Sequence, residues 1–232
     1  MSVAVARPGL GAVALGWALR NHIWLFLGLA VAVFSLASPY FLTWNNLGNV
    51  LTQAAFIGLL AVGMTMVIIN GEIDLSVGAT LALASALAIG LQPALGTWPA
   101  VFAGFLSGVA LGALNGTLVA FSGMHSFIVT LGGLIGIRGL VFVYTGENAL
   151  MVEDFAYTEI PEVYLGRLSL TAMIFLGLAA AFQWVLTSTR HGREAYAVGD
   201  NIEAAHDAGI DIKRHKIINF TICGAMAAIA GI

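Results

Sequence analysis

Residues 190–216 read RHGREAYAVGDNIEAAHDAGIDIKRHK, a polar stretch between two long apolar runs. The stretch contains five of the nine Lys and Arg residues in the chain, namely Arg190, Arg193, Lys213, Arg214 and Lys216. In membrane proteins, Lys and Arg accumulate in the loops that lie on the cytoplasmic side. The stretch therefore predicts a cytoplasmic loop, which sets the orientation of the apolar runs on either side of it.

A short helix is predicted inside this loop. Asn201 is a favourable N-cap, residues 202–208 favour helix, and Gly209 suits the left-handed conformation that often ends a helix. A helix of about two turns is too short to be stable alone in water. We therefore expect it to lie on a surface and to act as a docking element for a cytoplasmic partner.

The composition excludes an ordinary soluble domain. Of the 232 residues, 59% are hydrophobic and only 9% are charged, and the mean hydropathy is +0.94. Soluble domains carry about 25% charged residues. The expected fold class is all-α, a polytopic transmembrane helical bundle in a lipid bilayer. No basic stripe indicates a nucleic-acid partner, and Cys223, the only cysteine, excludes an intramolecular disulfide.

The apolar runs predict the number of spans. A transmembrane helix needs about 20 apolar residues. Runs of about this length occur at 23–42, 52–70, 76–91, 99–121, 126–144 and 168–187, and a seventh starts near Ile217. We predict at least six spans and a seventh that is cut at the C-terminus. Residues 1–22 are then a cytoplasmic N-terminal segment, and residues 23–232 are an incomplete transmembrane domain.

A cytoplasmic N-terminus assigns each later loop to a side of the membrane. The turns at 71–75 and 122–125 become cytoplasmic, the 145–167 loop external and the 190–216 loop internal. The predicted external loop is acidic, with Glu147, Glu153, Asp154, Glu159 and Glu162 against Arg167. Two runs leave an alternative, because 76–91 is short and 126–144 contains Arg138. If one of them is re-entrant, the assignment of the downstream loops reverses.

Asn70, Glu72 and Asp74 form the most unusual membrane-embedded stretch. Ionisable groups at such depth cost about 2.5–3.5 kcal/mol each. One interpretation places these residues on a permeation path or at a gating contact. The other has Asp74 or Ser76 capping the helix that follows, with Glu72 in headgroup water. For Asp74, both roles can coexist.

Three more polar residues lie inside predicted spans and are candidates for the path. Arg138 must find a carboxylate, backbone carbonyls or water. Pairing with an acid is favoured for it over a place on the path, and snorkelling to the interface is the alternative. Asn115 and Thr130 either line the path or form hydrogen bonds across a helix contact.

No sequence motif indicates catalysis, a metal site or a cofactor. The histidines, including His125, His191, His206 and His215, show no metal-ligand spacing, and no Ser-His-Asp order stands out. The chain has two lysines, Lys213 and Lys216, and neither lies in a GxxxxGK[ST] loop, the motif that binds nucleotide phosphates. We predict a transport subunit without catalysis of its own, so that any ATP hydrolysis occurs on a separate chain.

Three stretches resemble the permease subunits of bacterial monosaccharide ABC importers of the ribose, xylose and galactose types. They are GEIDLSVGA at 71–79, FIVTLGGLIGIRGLVFVYTGE at 127–147 and GREAYAVGDNIEAAHDAGIDIKRHKI at 192–217. The chain departs from the pattern at Glu72, where such permeases usually have Gly.

The resemblance implies an inner-membrane permease that works with several partners. These are a second permease copy or a paralogue, a cytoplasmic ATP-binding subunit and a periplasmic sugar-binding protein. It also implies that Glu203, Ala204, Ala205 and Gly209 belong to the helix that engages the ATPase.

Other function classes stay open at this point. One is an ion-coupled secondary carrier of a small polar solute that uses Glu72 or Asp74, although no internal repeat of the kind common in carriers is visible. Another is a permease of the same superfamily for amino acids or nucleosides. A membrane-embedded enzyme would need a nucleophile–base pair or a metal site that the sequence does not suggest.

Overall fold

The computed structural model describes residues 17, 19–152, 154, 157–158, 163–166 and 168–232. The chain forms two compact units, Met1–Val50 and Leu51–Ile232. The helices are α1 (His22–Ala37), α2 (Trp44–Ile69), α3 (Val77–Gly90), α4 (Gln92–Leu95), α5 (Thr97–Ser122), α6 (Ser126–Thr145), α7 (Leu170–Ser188), α8 (Arg190–Asp200), α9 (Ile202–Asp207) and α10 (Ile212–Gly231). Two strands of two residues each, β1 (Tyr164–Leu165) and β2 (Leu168–Ser169), pair in an antiparallel arrangement. The predicted all-α fold class is confirmed.

The long apolar helices lie where the sequence predicts spans. By length and composition, four of the helices in the described residues can cross a membrane, namely α2, α5, α6 and α7. The apolar helices α1 and α3 are shorter, with 16 and 14 residues. Both α3 and α6 are uninterrupted helices, and α3, with 14 residues, is shorter than the about 20 residues that a span needs.

The helix of the seventh predicted span, α10, begins earlier than predicted. The apolar run starts near Ile217, but α10 starts at Ile212 because Asp211 caps it by accepting a hydrogen bond from the Arg214 backbone N–H at 3.1 Å. Its first turn is therefore charged, and only the later turns are apolar. Phe220 and Cys223 on these later turns pack with Val67 of α2 in a buried cluster.

Glycines allow α5 to approach α10 closely. Gly108, Gly112 and Gly116 are spaced by four residues, so they lie along one face of α5. A Cβ at Gly108 would lie 2.5 Å from the Gly224 carbonyl oxygen, and one at Gly116 would lie 2.8 Å from the Ile217 Cα. Small residues at such contacts let helix backbones pack directly inside a membrane. The seam makes α10 part of the core of the second unit.

The loops alternate between the two ends of the second unit, as the span count predicts. One end, called the break end here, holds the turns at 71–75 and 122–125 and the 190–211 segment. There the Ile73 N–H donates to the Ser126 Oγ at 3.1 Å, and a Cβ on Gly71 would lie 3.8 Å from the Gly199 Cα.

The opposite end holds the start of the predicted external loop. There the Tyr157 hydroxyl donates to the Ile232 carbonyl at 2.6 Å. Glu153, Glu159, Glu162 and Arg167 of that loop lie outside the described residues, as does most of the predicted 1–22 segment. The side of the membrane that each end faces stays a prediction.

Candidate functional site

A break between α2 and α3 organises the break end. Gly71 ends α2 with a left-handed φ of +80°, and the chain then runs without helix to the start of α3. Thr130 on α6 accepts a hydrogen bond from the Leu75 N–H at 3.1 Å and donates to the Ser126 carbonyl at 2.8 Å. Non-helical backbone at membrane depth is tolerated only where protein or water satisfies it. Thr130, a path candidate, thus stabilises the break.

Asp74 is buried in the break and hydrogen-bonded to the start of α3. Its Oδ1 accepts from the Ser76 backbone N–H at 2.8 Å and from the Ser76 hydroxyl at 2.6 Å. The Asn115 amide of α5 donates to the same hydroxyl at 2.8 Å. Ser76 is the N-cap residue of α3 and makes no cap hydrogen bond with its side chain, so Asp74 holds the turn that precedes the helix. Asn115 ties α5 to the same turn.

Glu72 and Asn70 differ in how their side chains are satisfied. Glu72 forms an ion pair with Lys216 of α10, with an Oε1 to Nζ distance of 2.5 Å and exposed side-chain fractions of 11% and 17%. One interpretation of the sequence places Glu72 in headgroup water, but the side chain is paired with Lys216 instead. Asn70 is 4% exposed, and within the described part of the chain neither of its side-chain polar atoms has a hydrogen-bond partner.

Arg138 does not show the pairing expected for it. The side chain is on the exposed side of α6, and its guanidinium carbon lies 5.8 Å from the centroid of the Phe142 ring. That distance falls within the cation–π range of about 6 Å. Among the described residues, Arg138 has no ion pair with a carboxylate.

A groove lies between α5 and α6, and Arg138 is not one of the residues that line it. It has a volume of about 650 Å³. Its lining is apolar except for Asn115, and it includes Gly132, Gly133 and Gly136 of α6. A Cβ on Gly132 or Gly136 would have nothing within 4 Å, so this face of α6 is open.

The 190–216 loop holds more helix than the sequence predicts. The predicted short helix exists as α9, but it follows α8, an 11-residue helix that we expected to be loop. Thr189 caps α8 by accepting from the Gly192 N–H at 3.3 Å. Ala195 and Val198 face inward and are buried. The sequence features that could have predicted α8 are the Thr189 cap and the three-residue spacing of Ala195 and Val198. The many charged residues around them make this pattern hard to recognise.

Both ends of α9 are capped as predicted. The Asn201 Oδ1 accepts from the N–H groups of Glu203 and Ala204 at 3.1 and 3.0 Å. At the other end, Gly209 has a φ of +81°, its N–H bonds to the His206 carbonyl, and the Ile210 N–H bonds to the Ala205 carbonyl at 3.1 Å. This pair of bonds is a Schellman motif.

The four residues assigned to α9 do not share one face. Ala205 is buried against the protein, whereas Glu203, Ala204 and Gly209 are exposed. Ile202, which the sequence reasoning did not single out, is also 45% exposed at the start of the helix. The helix thus lies on a surface, as predicted, and presents an acidic and partly apolar face outward.

A polar cluster that the sequence did not predict lies beneath α8. Glu194 accepts from the Arg190 Nε at 2.5 Å and is hydrogen-bonded to the His215 Nε2 of α10 at 2.9 Å. The hydrogen bond from Arg190, and then that from His215, lowers the pKa of the Glu194 carboxyl. The His215 ring stacks on the His191 ring with centroids 4.6 Å apart, and the His191 Nε2 is bonded to the Asn219 Oδ1 at 2.8 Å.

Neither the break nor the polar cluster has the ligand set of a metal centre. Across the described ranges, no three His, Cys, Asp or Glu side chains are grouped so that they could hold a metal ion.

An all-α bundle of long apolar helices is the architecture of a multi-pass membrane protein. The family model described as the permease component of branched-chain amino acid transport systems matches residues 46–232. The chain belongs to this family.

Three relatives are similar over most of the chain. The ribose import permease protein of Escherichia coli (strain K12) is 36% identical, over 93% of this chain and 69% of the relative. The D-allose transport system permease protein of the same strain is 36% identical, over 89% and 64%. The xylose transport system permease protein of that strain is 32% identical, over 83% and 65%. The chain thus spans about two thirds of the length of these relatives. No solved structure matches it.

Proposed function

We propose that the chain is the membrane-spanning permease subunit of an ATP-driven importer in a bacterial inner membrane. It carries a monosaccharide from a periplasmic binding protein into the cytoplasm. The relatives named for ribose, allose and xylose support the sugar class over the amino acids in the family's description. Selection among sugars is left largely to the binding protein.

The observation that carries the proposal is the capped helix α9. Asn201 and Gly209 define its two ends, and buried Ala205 holds it against the protein. A six-residue helix has no stability of its own in water, so the caps and Ala205 must maintain its shape before any partner binds. Exposed Glu203 and Ile202 then form a preorganised docking face for a cytoplasmic ATP-binding subunit.

The orientation follows from the basic 190–216 segment. We infer that the break end faces the cytoplasm and that the N-terminus lies on the same side, because Lys and Arg accumulate on cytoplasmic loops. The periplasmic binding protein then approaches the opposite end.

The solute path is proposed to run along the open face of α6. An arginine that faces lipid near mid-membrane costs about 2.5–3.5 kcal/mol, and exposed Arg138 has no carboxylate partner among the described residues. The groove between α5 and α6 is the proposed path, with Asn115 as the polar side chain in an otherwise apolar lining. A second permease copy or a paralogue would close that groove.

Co-purification with candidate ATP-binding subunits tests the docking assignment. We expect Glu203→Gln and Gly209→Val to lower association and solute-stimulated ATP turnover by about fivefold or more without lowering membrane insertion. Valine is strained at the positive φ of Gly209, whereas asparagine is tolerated there. Gly209→Asn should therefore lose less association and less ATP turnover than Gly209→Val.

The matched control is Glu147→Gln, which removes an exposed acid at the opposite end. Full association of both docking variants would remove the assignment of α9. A chain that purifies alone and transports on an ion gradient would instead support the carrier class, with Glu72 and Asp74 as its candidate ion sites.

A further inference from the structure

The docking segment, α8 with α9, contacts the helix break directly. Gly199 near the end of α8 packs against the end of α2, where a Cβ on Gly199 would clash with the Ile69 carbonyl oxygen. The Gly71 turn lies against the same glycine, since a Cβ there would be 3.8 Å from the Gly199 Cα. The two backbones therefore touch without intervening side chains.

The first turn of α10 makes a second connection between the same two parts. His215 bonds to Glu194 of α8 at 2.9 Å, and the next residue, Lys216, pairs with Glu72 of the break at 2.5 Å. Successive residues on a helix point about 100° apart, so one turn of α10 reaches the docking segment with one residue and the break with the other.

The ion pair between Glu72 and Lys216 is partly buried on both sides. Its side chains are mostly shielded from solvent, so removing one partner leaves a poorly solvated charge. The break is attached on its other side to α6, through Ser126 and Thr130. A movement of α10 relative to α6 would therefore pull on the break from two sides.

We propose that α10 links the docking segment to the helix break through the His215–Glu194 hydrogen bond and the Glu72–Lys216 ion pair, so that displacement of α8 and α9 by the cytoplasmic partner moves the break. Glu72 and Lys216 are positioning residues in this account, and neither contacts the solute. The proposal rests on the proposed function, because it requires a partner that moves the docking segment.

Charge reversal tests the linkage in the full complex reconstituted in vesicles. The measured quantity is the coupling ratio, the solute molecules imported per ATP hydrolysed, for Glu72→Lys, Lys216→Glu and the double variant. We expect each single reversal to lower the ratio by about fivefold or more while partner-bound ATP turnover continues. The double reversal should restore the ratio to within about twofold of the original, because the pair re-forms with opposite polarity.

Lys213→Glu is the matched control, since it makes the same charge change on α10 three residues, or about one helical turn, before Lys216. The Lys213 Nζ lies over the Phe121 ring at 4.6 Å rather than against a carboxylate. The ratio should stay normal in this variant. If reversals at 72 and 216 prevent insertion, Glu72→Gln and Lys216→Gln replace them, and the same loss of ratio is expected.

Two results would overturn the linkage. One is a normal coupling ratio in both single variants. The other is a proportional fall of import and ATP turnover that the double reversal does not repair, because that pattern describes a merely structural contact. The unaltered complex reports separately on the proposed function, since absence of solute-stimulated ATP turnover there would overturn both.

Discussion

At the scale of single residues, Asp74 has a defined structural task. Its Oδ1 accepts two hydrogen bonds from Ser76, one from the backbone and one from the hydroxyl. Alanine removes that acceptor, and leaving buried donors without it costs about 1–3 kcal/mol of folding free energy. Asparagine keeps an acceptor oxygen, so Asp74→Asn and Asp74→Ser should keep part of the transport that Asp74→Ala loses.

Uptake measured at equal membrane levels decides between capping and a charge role for Asp74. Equal loss in the Ala, Asn and Ser variants would mean that the negative charge itself is required, as an ion site or gating contact would demand.

Glu194 predicts a stability that depends on pH. Hydrogen bonds from Arg190 and His215 lower the pKa of its carboxyl in the folded protein. Its contribution is therefore complete above the ordinary glutamate pKa of about 4.3, and it disappears as the pH falls through the lower folded value. The difference in melting temperature between the unaltered protein and Glu194→Gln should shrink as the pH falls below the ordinary glutamate pKa.

A difference for Glu194→Gln that grows in acid would contradict the assigned direction of the pKa shift.

Local polar contacts were more predictable from sequence than distant ones. The hydrogen bonds of Asp74 and Asn201 reach residues two or three positions away, so the sequence contains both partners. The pairing of Glu72 with Lys216 depends on how α10 packs beside the break, which no local pattern specifies. Arg138 was expected to find an acid for energetic reasons, but those reasons do not say whether the partner lies in the same chain.

At the scale of elements, the α5–α10 seam predicts a strong contrast between two glycines. A Cβ on Gly112 would clash with the Phe220 carbonyl oxygen, whereas a Cβ on Gly132 meets nothing within 4 Å. Gly112→Ala should lower the free energy of unfolding by about 1–3 kcal/mol because the backbones must separate. Gly132→Ala should be neutral or stabilising by up to about 1 kcal/mol, because alanine is the better helix former.

Denaturation of both variants in the same detergent checks this contrast. Equal stability of the two would show that α5 and α10 do not pack through their backbones.

Helix positions were predictable because apolar runs and glycine turns are local signals. α8 was missed because five charged or histidine residues dominate its 11 positions, and only its buried Ala195 and Val198 show the helical spacing. The early start of α10 was missed for a related reason. Asp211 extends the helix through a charged turn that hydropathy alone assigns to the loop.

At the scale of the whole molecule, the predicted orientation can be tested by labelling. Cys223 is the only cysteine and is buried, so single cysteines can be introduced with little background. His206 at the break end and Asn148 near the opposite end are both exposed. An impermeant maleimide should label His206→Cys only in inside-out vesicles and Asn148→Cys only in right-side-out vesicles. The reverse pattern would place the docking segment on the outside and exclude a cytoplasmic partner.

The central claim is that this permease imports a sugar at the expense of ATP hydrolysed by a separate subunit. The most direct measurement is uptake of labelled pentoses, hexoses, amino acids and nucleosides into vesicles that contain the full complex, its binding protein and internal ATP. The account predicts uptake of a monosaccharide that requires ATP and survives collapse of the ion gradients by ionophores. Uptake that needs no ATP and stops when the ion gradients are collapsed would contradict it.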